Sequence, residues 1–182
     1  MRHVLRLRQL KAGARPFTKF FFAVKKSTLR EAILQQLRVE LALQAGAAAQ
    51  SRDEAISDES RAKSKWDTHS QEAAYLAEGQ AKLAAEIGAS LEVYATLPLP
   101  DLAPNDAIVL GALVEIEAPG GNAWYFLGPR AGGLELKVDG REVLVLTPQS
   151  PLGGQMIGKR AGDVVSPPGG RAPAEQRIVS VR

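Results

Sequence analysis

The sequence predicts an α+β protein: a long antiparallel α-helical coiled-coil hairpin over residues 28–95, then a small antiparallel β domain with a short helix over residues 96–182, behind a basic leader of residues 1–27. Three observations predict it. After Pro16 no proline occurs until Pro98, and ten lie between there and residue 182, which separates a helical half from a loop-rich half. Apolar and small residues in the first half recur at alternating three- and four-residue spacing, the pattern of a two-helix seam. In the second half, short apolar runs are separated by glycine, proline and aspartate turn signals.

The leader is compositionally foreign to the rest. It carries eight Lys or Arg and no acid, and four of the five phenylalanines: Phe17, Phe20, Phe21 and Phe22. Without it, the overall +3 becomes −5, so the body is mildly acidic and would be repelled by a phosphate backbone unless a basic patch intervened. The uninterrupted apolar run 20–24 is shorter than the ~7–15 residues of a secretory core and ends at Lys25 and Lys26 without a small-residue cleavage site. A disordered tail, or upstream sequence translated from a misplaced start with Val24 as initiator, accounts for it; a basic arm for membrane or nucleic acid is the other reading. No stretch reaches the ~18 apolar residues of a membrane span.

Thr28 and Glu31 have the spacing of a capping box and predict the helix start. Leu34, Leu37, Leu41, Gln44, Ala48, Ser51 and Ala55 follow as the seam of the first arm, and Trp66, His69, Ala73, Leu76, Gln80, Leu83, Ile87, Ser90 and Tyr94 as that of the second. The charged segment 52–65 carries the turn. At ~1.5 Å per residue the arms give a hairpin of about 40–45 Å. Helices of a compact bundle or a dimeric coiled coil would also fit this weak, alanine- and glutamine-containing seam.

Strands are expected over 107–116, 123–127, 134–138, 142–147 and 177–181, with Asp139 and Gly140 as a hairpin turn. A short helix is expected over 150–158, capped by Ser150 with Pro151 in its first turn.

Chemistry is sparsely represented. The chain has no cysteine and only His3 and His69, which excludes disulfides and thiolate metal sites and argues against an imidazole cluster. Ser150 and His69 could be drawn into a hydrolase triad, but no serine sits in a Gly-x-Ser-x-Gly elbow and His69 occupies a seam position. The glycine doublets at 120–121, 132–133, 153–154 and 169–170 read as turn makers.

Residues 150–165, Ser-Pro-Leu-Gly-Gly-Gln-Met-Ile-Gly-Lys-Arg-Ala-Gly-Asp-Val-Val, closely resemble the signature Ser-Pro-Leu-Gly-Arg-x-Leu-Ile-Gly-Lys-x-x-Gly-Asp-x-Val of the Gre transcript-cleavage factors. Residues 109–116 and 124–129 resemble that family's two paired strands, and the resemblance spans about residues 28–182. It implies that the β domain is FKBP-like and docks on bacterial RNA polymerase, with Ser150, Pro151 and Leu152 as docking candidates. The hairpin would enter the secondary channel, where tip acids help bind the second Mg²⁺ of the polymerase active centre, so that the polymerase hydrolyses its own backtracked transcript. The chain would then be a cytoplasmic accessory factor rather than an enzyme. It would meet nascent RNA indirectly and use no metal of its own, no membrane and no small-molecule substrate.

The family tip reads Asp-Leu-Ser-Glu-Asn-Ala-Glu-Tyr. With Trp66 in place of that Tyr, Glu59 falls on the Asp and Ala62 on the first Glu, leaving Asp58 and Glu59 as the candidate acids and metal ligands. Gly154 replaces the signature Arg. A non-cleaving regulator in the same channel is the alternative within this partner. From a different class, an FKBP-like interaction module with a dimerising coiled coil is the other; a prolyl-isomerase pocket would need clustered aromatics, and alternation puts Trp124 and Phe126 on one strand face and Tyr125 on the other.

Overall fold

The computed structural model describes residues 24–56, 69–118, 121–166 and 175–182. Two long helices, α1 (Lys26–Ile56) and α2 (His69–Thr96), pair as an antiparallel hairpin. After them come β1 (Leu113–Ala118), β2 (Gly121–Leu127), β3 (Glu135–Val138), β4 (Arg141–Leu146), α3 (Pro151–Met156), β5 (Val164–Val165) and β6 (Gln176–Val181). This is the expected helical hairpin followed by a small β domain with a short helix.

Helix α1 begins two residues before the expected capping box. The Leu29 amide donates to the Lys25 carbonyl at 3.0 Å, which makes Lys25 the cap residue and leaves Thr28 exposed inside the first turn. Val24, just before the cap, and Leu29, in the first turn, are both buried in the same core. That is a hydrophobic staple, and it fixes the entry of the chain where the polar box would have placed it later.

All seven expected seam positions of α1 are buried or half-buried. In α2 the seam departs from expectation at two of them. Leu76 and Leu83 are 55% and 49% exposed, and Ala77 and Ala84 turn inward in their place. Both registers contain Ala73, Gln80, Ile87 and Tyr94 and average 3.5 residues per turn, so spacing alone does not separate them. On the facing side of α1, Gln44, Ala48 and Ser51 are small or polar as well. Ser51 Oγ reaches Gln80 Oε1 across the seam at 3.0 Å. Trp66 lies outside the described residues; His69 opens α2, and its side chain is not among those described.

The six strands run in the order β3-β4-β2-β1-β6-β5. All neighbours are antiparallel except β2 and β4, which pair parallel from Trp124 opposite Val143 to Leu127 opposite Leu146, so the sheet is mixed rather than wholly antiparallel. The connection over 128–134 carries β3 one position out from β2, and Asp139 and Gly140, both at positive φ (51° and 77°), close a tight hairpin that returns β4 into the space between them. The expected strand over 107–116 starts late, because Gly111 at φ 82° turns the chain before Leu113. The two-residue β5 was not anticipated, being too short to show a period.

Two cores share the sheet. On one face Leu113, Trp124, Phe126, Val143 and Val145 pack against the base of the hairpin through Leu29, Ile33, Leu34, Leu37, Tyr94 and Leu97. On the other, Val114, Ile116, Leu127 and Ile178 pack under Ile108, Leu152 and Met156. The hairpin therefore rises from a base that is continuous with the domain core.

Candidate functional site

The segment that carries the family resemblance folds as α3, a turn and β5 on the outer face of the sheet. Ser150 has extended backbone (φ −72°, ψ 148°) and caps α3: its hydroxyl accepts from the Gly153 amide at 3.1 Å and donates to the Thr147 carbonyl at 2.8 Å. A Cβ on Gly153 would lie 2.1 Å from that same carbonyl, so this turn admits no side chain there. Leu152 is 7% exposed and joins Met156 in the outer core. Of the three docking candidates, Ser150 is engaged in capping, Leu152 in packing, and Pro151 stands at the surface.

The remainder of the segment is equally structural. Gln155 ties α3 to the chain ahead, donating to the Ser166 carbonyl at 3.1 Å and accepting from the Ser166 amide at 2.9 Å. Gly158 and Gly162 sit at positive φ (78° and 95°), where a side chain is strained. Asp163 accepts from the Arg160 amide at 2.8 Å and closes the turn between them. A signature of this kind is legible in sequence because so many of its members are needed for one compact turn.

Surface chemistry beside it was missed by sequence reasoning. The Ile108 amide donates to the Lys159 carbonyl at 2.7 Å and the Gly158 amide to the Ile108 carbonyl at 2.9 Å. These bonds join the loop before β1 to the end of α3 and bring Val109 and Leu110, 42% and 40% exposed, to the same end of the domain as Ile157, 44% exposed. Residues 108–110 read as strand interior in the sequence, so their outward face carried no signal.

Trp124 and Phe126 lie on the opposite face from Tyr125, as alternation predicted; the first two face the hairpin and Tyr125 the outer core. Trp124 is 5% exposed, with the guanidiniums of Arg141 and Arg182 at 4.5 and 5.3 Å from its ring. Tyr125 borders an open groove of about 790 Å³ over β2, β3 and β4, rimmed by Glu135, Lys137 and Glu142, and burial raises its hydroxyl above the usual tyrosine value. Glu115, also buried, is held as an acceptor by Asn122 at 2.8 Å and Ser180 at 3.0 Å, which satisfies it within the sheet.

Asp58 and Glu59, the candidate tip acids, and Ala62 lie outside the described residues. Among the described residues no three His, Cys, Asp or Glu side chains converge on a common point, and no helix is long and apolar enough to cross a membrane.

No protein-family model matches the chain, and no curated protein matches it. Among solved structures it is similar to GreA factor homolog 1 (Gfh1) of Thermus thermophilus, at 21% identity over 84% of this chain and 94% of that one, with a TM-score of 0.33. It is similar to Gfh1 of Thermus aquaticus at 23% identity over 87% and 96%, with a TM-score of 0.36. It is also similar to the transcription elongation factor GreA/GreB from Nitrosomonas europaea, at 21% identity over 57% and 78%, with a TM-score of 0.32.

Proposed function

We propose that the chain is a Gre-type accessory factor of bacterial RNA polymerase, which docks through its β domain and extends its hairpin into the secondary channel. The observation that carries the reading is the signature at 150–165, folded as one compact surface unit at the end of a domain from which a long, thin hairpin rises. Helix α2 spans 28 residues, about 42 Å at ~1.5 Å per residue, so a group at its far end would reach deep into a partner while the β domain stays at the rim. Docking would use Pro151 with the neighbouring apolar residues Val109, Leu110 and Ile157, since Ser150 and Leu152 are engaged within the fold.

Asp58 and Glu59 would supply carboxylate oxygens to the second Mg²⁺ of the polymerase, a hard cation that prefers such ligands. Ala62, where the resembled tip has Glu, favours the second reading, a factor that occupies the channel without stimulating cleavage.

One assay separates these outcomes: a backtracked elongation complex with labelled RNA, with full-length protein added across a magnesium titration. Cleavage above the intrinsic polymerase rate, abolished by Asp58→Ala with Glu59→Ala at unchanged affinity, supports the cleavage factor. Binding without cleavage, together with exclusion of a known cleavage factor, supports the channel-occupying regulator; Ala62→Glu should then restore cleavage. Failure to bind core polymerase at all rejects both.

A further inference from the structure

We infer that Tyr94 is a positioning residue: its hydroxyl, seated against Gly128, pins the direction in which the hairpin leaves the β domain. Tyr94 lies in the last turn of α2, is fully buried, and donates to the Arg130 carbonyl at 2.6 Å. Apolar packing holds the hairpin base to the sheet, but the hydrophobic effect that drives it is non-directional. The Tyr94 bond is directional, and it joins the helix to the loop that connects β2 to β3.

Gly128 shows how tightly that bond is fitted. Its backbone is not in the left-handed region, so conformation does not demand glycine there. Space does: a Cβ would lie 2.0 Å from the Tyr94 hydroxyl and 3.1 Å from Cζ. Nor can Gly128 retreat, since its amide donates to the Leu146 carbonyl at 2.8 Å. Beside it, Gly111 receives the chain leaving α2, and a Cβ there would meet the Pro98 carbonyl at 2.4 Å. The Gly111 amide donates to the Leu127 carbonyl at 2.8 Å, which places the two glycines next to one another. The exit of α2 is thus gripped at two adjacent points of the sheet.

Above the pin an open groove of about 630 Å³ is lined by Leu83 and Glu86 of the hairpin and by Pro129 and Gly132 of the domain, so there is space beside the hairpin into which it could tilt. Ser51 bonds Gln80, which lies fourteen residues before Tyr94 in α2, or about 21 Å up the hairpin. A tilt of about 10° at the base would move that level by about 3.5 Å, and the far end by twice as much. The consequence for transcription rests on the function proposed above: a tip that must meet a metal site tolerates little wander, so the pin would govern cleavage or channel occupancy without touching either.

The test needs no polymerase. The chain lacks cysteine, so spin labels can be placed cleanly at the exposed positions Gln50→Cys and Lys137→Cys and their separation read by electron–electron resonance in the full-length protein. The wild-type side chains should give one narrow distance. Gly128→Ala should move it by about 3 Å or more, the displacement of a ~10° tilt, and Tyr94→Phe should broaden it. The Tyr94→Phe, Gly128→Ala double variant should resemble Tyr94→Phe, because removing the oxygen removes the closest clash. Unchanged distances in folded Tyr94→Phe and Gly128→Ala proteins would overturn the inference. If Gly128→Ala does not fold, Tyr94→Phe, which loses one oxygen and keeps the ring, decides alone. With polymerase, Tyr94→Phe should bind normally and lose tip-dependent effects; failure of wild type to bind would refute the proposed function and leave the distances to judge the pin.

Discussion

The lower and upper halves of the hairpin are packed by different chemistry. At the base, Leu29, Ile33, Leu34 and Leu37 meet Tyr94 and Leu97 and then the sheet, in one core shared by helices and strands. Farther out, the buried or half-buried positions are Gln44, Ala48 and Ser51 on α1 and Ala73, Ala77 and Gln80 on α2, and the larger Leu76 and Leu83 stay outside. The base contributes cooperative stability. The upper half has little apolar area to lose, so it should open locally at lower free energy than the global transition. What it gains is slenderness, because small residues let two helices lie close.

Ile33→Ala should give the largest effect, because it empties a fully buried site in the shared core. We expect a loss of about 2–5 kcal/mol, with helical and β-domain signals shifting together in a denaturant titration. Separate transitions would show that the base is not one cooperative unit with the domain.

Gly153→Ala should come next, at about 1–3 kcal/mol, the usual range for forcing atoms into an occupied site. Its Cβ would meet the Thr147 carbonyl, far from the hairpin. Hydrogen exchange should therefore rise around α3 while protection in α1 and α2 persists.

The alkaline limb of stability offers a third measurement. Burial raises the Tyr94 hydroxyl well above its ordinary value of 10.0, with the Arg130 carbonyl contact opposing. The unfolded chain thus ionises first: this contribution is complete below about pH 10 and falls as pH climbs beyond it, with a limiting slope near 1.4 kcal/mol per pH unit. Burial lowers Lys26, against an opposing pull from Asp101, so that residue works the other way between its lowered value and 10.5. Lys26 is common to both proteins, so the comparison isolates the tyrosine: Tyr94→Phe should flatten the decline above pH 10, and an identical decline would show that Tyr94 does not titrate with unfolding.

Ser51→Ala should have the smallest effect. It removes the bond to Gln80, worth about 0.5–1.5 kcal/mol. The loss should appear as faster amide exchange in the upper hairpin, with the global midpoint almost unmoved. A large shift in that midpoint would mean that the two halves are stabilised as one.

Much of this was legible before any coordinates. The proline boundary, the seam of α1, the Asp139–Gly140 turn, the Ser150 cap and the opposite facing of Trp124 and Tyr125 all follow from local rules. The signature segment was legible as a pattern, but the packing of Leu152 in the outer core was not, because it depends on residues remote in sequence that lie beneath it. Val109 and Leu110 were hidden because an apolar run reads as interior whichever way it faces.

What the sequence by itself determined was periodicity and punctuation, since helix phase, turn chemistry and capping are settled within a few residues of chain. What only tertiary structure decided was distance between residues remote in sequence. Ala77 and Ala84, and not Leu76 and Leu83, turn toward α1, and spacing that fits both registers cannot make that choice. The staple of Val24 and Leu29 displaced the Thr28 box because a shared core waited for both. Gly128 had to be glycine because Tyr94, thirty-four residues away, ends its side chain against it, and no local rule contains that contact.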